Sequence, residues 1–219
     1  MPSTFKHAIV LLFILFSINA FSQQSRFGIS LNTLTTSYNY GKANTALSPY
    51  KKNYTGLQAG ISYQAGITPA FSLVPELYFA IKGGTLKENN PVTINKSTLR
   101  ISTFEIPVLA RFHYKNLYLN AGPYLGYAVG GRMKIEGSST MPATSTKIYF
   151  GAAEEYKRWD AGWQAGAGYN FNMKKRILTL DVRYGYGLVN IAKTLERYNR
   201  MLNISLVVSK PGKKSTQKS

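Results

Sequence analysis

The sequence predicts an all-β fold: an eight-stranded antiparallel up-and-down transmembrane β-barrel with short periplasmic turns and long extracellular loops. Three observations lead there. Most of the chain divides into runs in which apolar and polar residues alternate with period two, one set for each face of a strand. Several runs are about twice as long as an ordinary globular strand of roughly five or six residues. The connections between runs alternate short and long.

The clearest runs lie between Trp159 and Leu188. Trp159, Ala161, Trp163, Ala165, Ala167, Tyr169 and Phe171 alternate with Asp160, Gly162, Gln164, Gly166, Gly168 and Asn170. After a short basic turn, Leu178, Leu180, Val182, Tyr184, Tyr186 and Leu188 alternate with Thr179, Asp181, Arg183, Gly185 and Gly187. Trp159 to Tyr169 spans roughly 33 Å at about 3.3 Å per residue. Tilted by ~40°, this becomes a height of about 25 Å, the apolar band of an outer-membrane barrel with aromatic girdles at its rims. Trp159, Trp163, Tyr169 and Phe171 are the expected rim aromatics. A soluble sheet would turn Lys and Glu to water, whereas this polar face is mostly Gly, Gln, Asn and Thr. The polar face is therefore expected inside a narrow barrel and the apolar face on lipid.

Six further runs complete the set: Arg26 to Leu34, Thr55 to Ile67, Ser72 to Lys82, Leu99 to Phe112, Leu117 to Val129 and Arg200 to Val208. In the fourth of the eight, Leu99 and Ile101 are out of phase with Phe104 and Ile106, which predicts a β-bulge near Ser102. Pro75, Pro107 and Pro123 each delete a ladder donor, and the first two are expected near the inner rim. The short connections are Thr68 to Phe71, His113 to Asn116 and Asn172 to Arg176. The long ones are Thr35 to Tyr54, Gly83 to Thr98, Gly130 to Arg158 and Val189 to Asn199. Short periplasmic turns and long external loops are the pattern of an outer-membrane barrel, with both termini in the periplasm.

Residues 1–22 have the form of a cleaved secretory signal peptide. Lys6 and His7 precede an apolar core from Ala8 to Ile18, and Ala20-Phe21-Ser22 places small residues at −3 and −1. The core is too short for a spanning helix, which needs ~20 residues. The expected division is a signal peptide over 1–22, one barrel domain over 23–208, and a basic, disordered tail over 209–219. The chain has no Cys, which excludes disulfides and thiolate chemistry.

Five stretches carry a family resemblance: Leu73-Val-Pro-Glu-Leu-Tyr-Phe-Ala-Ile-Lys-Gly83, Phe104-Glu-Ile-Pro-Val108, Ala121-Gly-Pro-Tyr-Leu-Gly126, Asp160-Ala-Gly-Trp-Gln-Ala-Gly-Ala-Gly168 and Tyr184-Gly-Tyr-Gly-Leu-Val-Asn-Ile191. With these the sequence resembles the PorT-like family of outer-membrane β-barrel proteins, over nearly all of the mature chain. The resemblance implies a barrel rather than one activity; a founding member of the family acts in type IX protein secretion. One departure is the C-terminus, where a basic segment from Ser209 to Ser219 follows the last strand in place of a closing aromatic.

Seven charges fall on the inward face: Glu76, Lys82, Glu105, Arg111, Asp160, Asp181 and Arg183. Isolated ions in a narrow interior are costly, so these are expected to pair. Glu76 and Glu105 lie on adjacent strands with Arg111 one or two rungs away, and Asp181 and Arg183 are same-face neighbours. Such a network serves either as a selectivity or gating element in a pore or as a salt-bridge plug. An eight-stranded interior is just wide enough for side chains, which favours the plug.

Catalysis is not expected. His113 is the only His outside the signal peptide, and it is expected as a solvated residue of a short periplasmic turn, far from the outer rim where barrel hydrolases place theirs. One His and scattered carboxylates make no metal cluster, and no cofactor is implied. The formal net charge of +18 lies mainly in loops and tail, which argues against nucleic acid as a partner. The expected partners are outer-membrane lipid and lipopolysaccharide, whose phosphates the basic loops would meet, and other envelope or secretion-system proteins. The leading reading is a non-enzymatic interaction or structural protein of the envelope. A small porin-like pore or transporter is the alternative, and a soluble lipocalin-like carrier with its apolar face inward is a third.

Overall fold

A computed structural model describes residues 25–139, 141–151 and 154–210. Eight long strands form the wall: β1 (Arg26–Asn39), β2 (Tyr54–Thr68), β3 (Phe71–Leu86), β4 (Ser97–Tyr114), β5 (Leu117–Ile135), β6 (Trp159–Asn172), β7 (Ile177–Gly187) and β8 (Tyr198–Ser209). Each pairs antiparallel with its neighbour in sequence, and β1 pairs with β8 to close the barrel. Two short strands add to the upper edge, Lys51–Lys52 on β3 and Thr144–Lys147 on β5.

The register sets the barrel's geometry. Followed once around the wall from Phe104, it passes through Phe79, Ala59, Leu31, Leu206, Leu180, Tyr169 and Leu117 and returns to β4 at Tyr114, ten residues farther on. A stagger of ~33 Å across eight strands spaced about 4.7 Å apart tilts them by roughly 40°. The wall is inside out relative to a soluble sheet: on β5, Leu119 is 66% exposed and its neighbour Asn120 only 3%. That alternation runs through all eight strands and defines a barrel whose apolar surface faces outward.

Several strands run farther than the alternation predicts. β1 continues to Asn39, β3 to Leu86 and β5 to Ile135, so the long connections shrink to 40–53, 87–96, 136–158 and 188–197. The physical reason is an inversion of the pattern above the apolar band. There the outer face meets water and carries Arg100 and Arg132, whereas the inner face is apolar, with Tyr38, Leu86, Leu99 and Ile101 buried. The expected bulge on β4 is corrected accordingly. The register does slip between Ser102 and Thr103, but the additional residue is Val129 on β5, and Leu99 and Ile101 stay in phase with the inward Glu105.

The prolines are likewise not at the rim. Pro75 pairs with Val108, Pro107 with Tyr124 and Pro123 with Trp163, so three consecutive strands carry adjacent prolines in the middle of the wall. The paired register is interrupted beside each of the first two, from Pro75 to Tyr78 on β3 and from Pro107 to Ala110 on β4.

The connections at the long-loop end fold over the mouth. Tyr40, Leu47, Ile148, Tyr156, Ile191 and Ala192 from the loops bury against Tyr38, Leu86, Leu99, Ile101 and Ala128 of the wall. Backbone bonds tie the loops together, with Lys157 N–H donating to the Ile191 carbonyl (2.9 Å) and Ile148 N–H to Gly131 (3.1 Å). Glu196 accepts from Ala43 N–H (3.1 Å) and donates its own N–H to Asn44 (2.8 Å). The expected signal peptide lies outside the described residues, as does the tail from 211 onward; Ser209 belongs to β8, opposite Gly28.

Candidate functional site: the barrel lumen

Alternate residues of every strand point into the lumen, and six of the charged ones form two clusters. In the first, on the short-turn side, the Arg183 guanidinium from β7 makes a bidentate contact to Glu76 on β3, at 2.5 and 2.9 Å. These strands are diametrically opposite in the barrel order, so the pair spans the lumen. The Arg183 Nε also donates to Asp181 at 2.5 Å. In the second cluster, six residues farther along β3, the Lys82 ammonium donates to Glu105 on β4 (2.6 Å) and Asp160 on β6 (2.8 Å). All six side chains are almost entirely buried.

Arg111 joins neither cluster. Its guanidinium stacks 4.0 Å from the Tyr118 ring and donates to Gln64 at 3.2 Å, nearer the short turns than the carboxylates it was expected to approach. Arg26 sits beside it and reaches Gln64 (3.2 Å) and Asn170 (2.9 Å). With Lys82, Arg183, Arg111 and Arg26, four cations balance the four carboxylates of the lumen.

Neutral groups complete the network, and a search for charges alone misses them. Gln58 accepts from Asn32 (2.7 Å) and Asn203 (2.8 Å) and donates to Glu105 (2.9 Å). Asp160 accepts from Asn199 (2.7 Å) and Tyr124 (3.2 Å). Asp181 accepts from the Tyr118 hydroxyl (2.5 Å) and Asn120 (2.9 Å). The signal for these residues was their inward phase in the alternation. Room for them comes from glycine: a Cβ at Gly168 would lie 2.2 Å from the Tyr118 hydroxyl, and one at Gly166 would lie 2.7 Å from the Arg183 backbone.

The rim aromatics all face outward and exposed. Trp159 packs edge-on against Tyr127 at 4.8 Å in the upper girdle, near Phe79 and Phe104, while Tyr169 and Phe171 (also 4.8 Å) belong to the lower one. Trp163 is not a rim residue: paired with Pro123 and Tyr186, it lies four residues below Trp159, in the middle of the wall.

His113 is not a turn residue. It is the penultimate residue of β4, half-buried, with its Nε2 3.0 Å from the Ser72 hydroxyl and its ring 6.0 Å from Tyr118. Among the described residues no carboxylate hydrogen-bonds the ring, so the Ser–His contact lacks the orienting acid of a catalytic triad. The described residues hold no group of three or more metal-ligating side chains.

A closed barrel with a lipid-compatible exterior and a charge-balanced, polar interior is a transmembrane protein of the bacterial outer-membrane type. Residues 16–193 match the family described as outer membrane protein beta-barrel domain, and the chain belongs to that family and to the outer membrane. Solved structures similar to it include three outer-membrane or surface proteins. Ail of Yersinia pestis, in complex with the heparin analogue sucrose octasulfate, is 14% identical, with 85% of this chain and 97% of that one covered and a TM-score of 0.41. Neisserial surface protein A is 10% identical (85% and 97% covered, TM-score 0.43). OprG of Pseudomonas aeruginosa is 8% identical (86% and 93% covered, TM-score 0.43). No curated protein matches the chain.

Proposed function

We propose that this barrel is a non-catalytic, non-conducting interaction or structural component of the cell envelope, PorT-like, acting within an envelope or secretion assembly. It is exported by a cleaved signal peptide, keeps both termini in the periplasm and turns its long loops outward, where their cations meet lipopolysaccharide. The observation that carries this reading is the double closure of the lumen. Arg183 and Glu76 bridge opposite walls, Lys82 ties β4 and β6 to β3 above them, and the apolar lid covers the mouth. A hydrated ion would have to break buried, multiply bonded ion pairs to pass, each costing several kcal/mol.

Planar-bilayer recording of the refolded protein tests it. An electrically silent protein is expected, together with co-purification of envelope proteins after crosslinking through the loops. Discrete, reproducible conductance steps would replace this reading with a pore.

A further inference from the structure

A cleft of about 360 Å³ opens at the upper end of β3, β4 and β5, lined by Lys52, Lys96, Arg100, Arg132, Lys134 and Glu136 among others. The register brings the cations together. Lys52 lies opposite Thr85, Thr85 opposite Thr98, and Thr98 opposite Lys134; two residues nearer the membrane, Arg100 lies directly opposite Arg132. Like charges facing each other across a ladder are destabilising, unless an anion sits between them. The acid in the cleft does not supply that anion. Glu136 is engaged by Lys96 at 2.6 Å, and among the described residues no carboxylate lies within ion-pair distance of Lys52, Arg100, Arg132 or Lys134. The Lys96 hydrogen bond, with the added fields of Lys134 and Lys52, holds the Glu136 carboxyl below its ordinary range, so it stays ionised and occupied.

The cleft's position identifies the occupant. Arg100 is on the outward face of β4, four residues beyond Phe104 of the upper aromatic girdle. At about 3.3 Å per residue and ~40° of tilt, that is roughly 10 Å above the girdle, within reach of the polar layer outside the hydrocarbon. Between the two levels Arg158 stacks on Tyr127 at 5.7 Å, so cations continue down to the lipid boundary. A ligand with phosphates at this height and acyl chains below it would use both the cleft and the apolar wall. A soluble anion would use the cleft alone.

We propose that this cleft is a phosphate-binding site for an outer-leaflet glycolipid, with Arg100 and Arg132 as the phosphate forks and Lys52 and Lys134 as flanking charges. The proposal rests on the reading that the long loops face outward, and it narrows the lipopolysaccharide contact to one site.

The test uses detergent-solubilised, folded full-length protein and bisphosphorylated lipid A as the probe, with binding read by native mass spectrometry and by displacement of a fluorescent lipid A. The triple variant Arg100→Gln, Arg132→Gln, Lys134→Gln is expected to bind roughly 100-fold more weakly, about fivefold per cation removed. A control, Lys174→Gln with Lys175→Gln at the opposite end, is expected to bind as the parent does, and dephosphorylated lipid A is expected to lose the advantage of the parent over the triple variant. Heat-modifiable migration verifies that each variant is folded. Equal binding by parent and triple variant would overturn the site. Inositol hexakisphosphate binding the parent more tightly than lipid A would overturn the lipid as its occupant. Orientation is read separately: Lys42→Cys, a unique thiol in the exposed 40–53 loop and outside the cleft, is expected to react with a membrane-impermeant maleimide on intact cells. If it does not, the loop orientation fails whatever lipid A does in detergent.

Discussion

Arg183 carries the largest single consequence in the lumen. It is ion-paired with both Glu76 and Asp181, so Arg183→Ala leaves two buried carboxylates without their cation. Loss of a partner from a buried pair costs roughly 3–5 kcal/mol, and urea unfolding in detergent is expected to show a destabilisation of that size. Adding Glu76→Gln and Asp181→Asn to the same variant is expected to restore most of it. Unaltered stability in Arg183→Ala would refute the placing of this cluster. Gly168 offers a second test. Its Cα faces Tyr118, whose hydroxyl donates to Asp181, so Gly168→Ala should cost about 1–3 kcal/mol through overpacking. In a Tyr118→Ala background that cost is expected to vanish, and a double-mutant cycle measures the difference.

The strands are not equally well tied. β7 pairs with β8 from Ile177 to Tyr186 without a break, whereas the β3–β4 and β4–β5 ladders are interrupted beside Pro75 and Pro107. A proline in a closed barrel always removes one wall donor, because no edge exists to hide it. Hydrogen exchange in detergent is therefore expected to be faster for Tyr63, Glu76 and Val108, whose amides face the three prolines, than for Leu180, Val182 and Ile204. Uniform protection around the wall would remove the seam as a feature of the molecule. Such local weakness in an otherwise bonded wall is the physical content of a low-stability region.

For the whole molecule, closure arises twice and independently. The lid is an apolar cluster built from loop and wall, and the lumen below it is an ionic and hydrogen-bonded lattice. Disrupting the lid with Tyr156→Ala, which also removes the hydroxyl that accepts from Arg197 at 2.6 Å, is expected to expose the 136–158 loop to proteolysis. The same variant is expected to remain electrically silent, because the bridges beneath it stay in place. Conductance gained by this substitution alone would mean that the lid, and not the lumen network, seals the barrel.

Strand number, the phase within the lipid band and the inward charges other than Arg26 were legible in the sequence because a lipid-facing wall forces apolar residues outward at every second position, and a narrow lumen accepts only small or paired polar groups. The three short turns and the rim aromatics other than Trp163 followed from the same constraint. Tertiary structure alone decided the rest. Leu99 and Ile101 read as a phase error because the outer solvent changes from lipid to water along a single strand, and only the folded loops show which apolar residues then turn inward. Arg111 lies opposite Ser72, two rungs from Glu76, but Glu76 is taken by Arg183 from the opposite wall and Glu105 by Lys82, and the first of these contacts exists only once the barrel closes. His113 moved from turn to strand for a related reason: β4 runs two residues past Phe112 before the chain reverses at Lys115, whose φ of 55° marks the turn. Alternation is a local property of each strand, whereas partners across the barrel are set by closure.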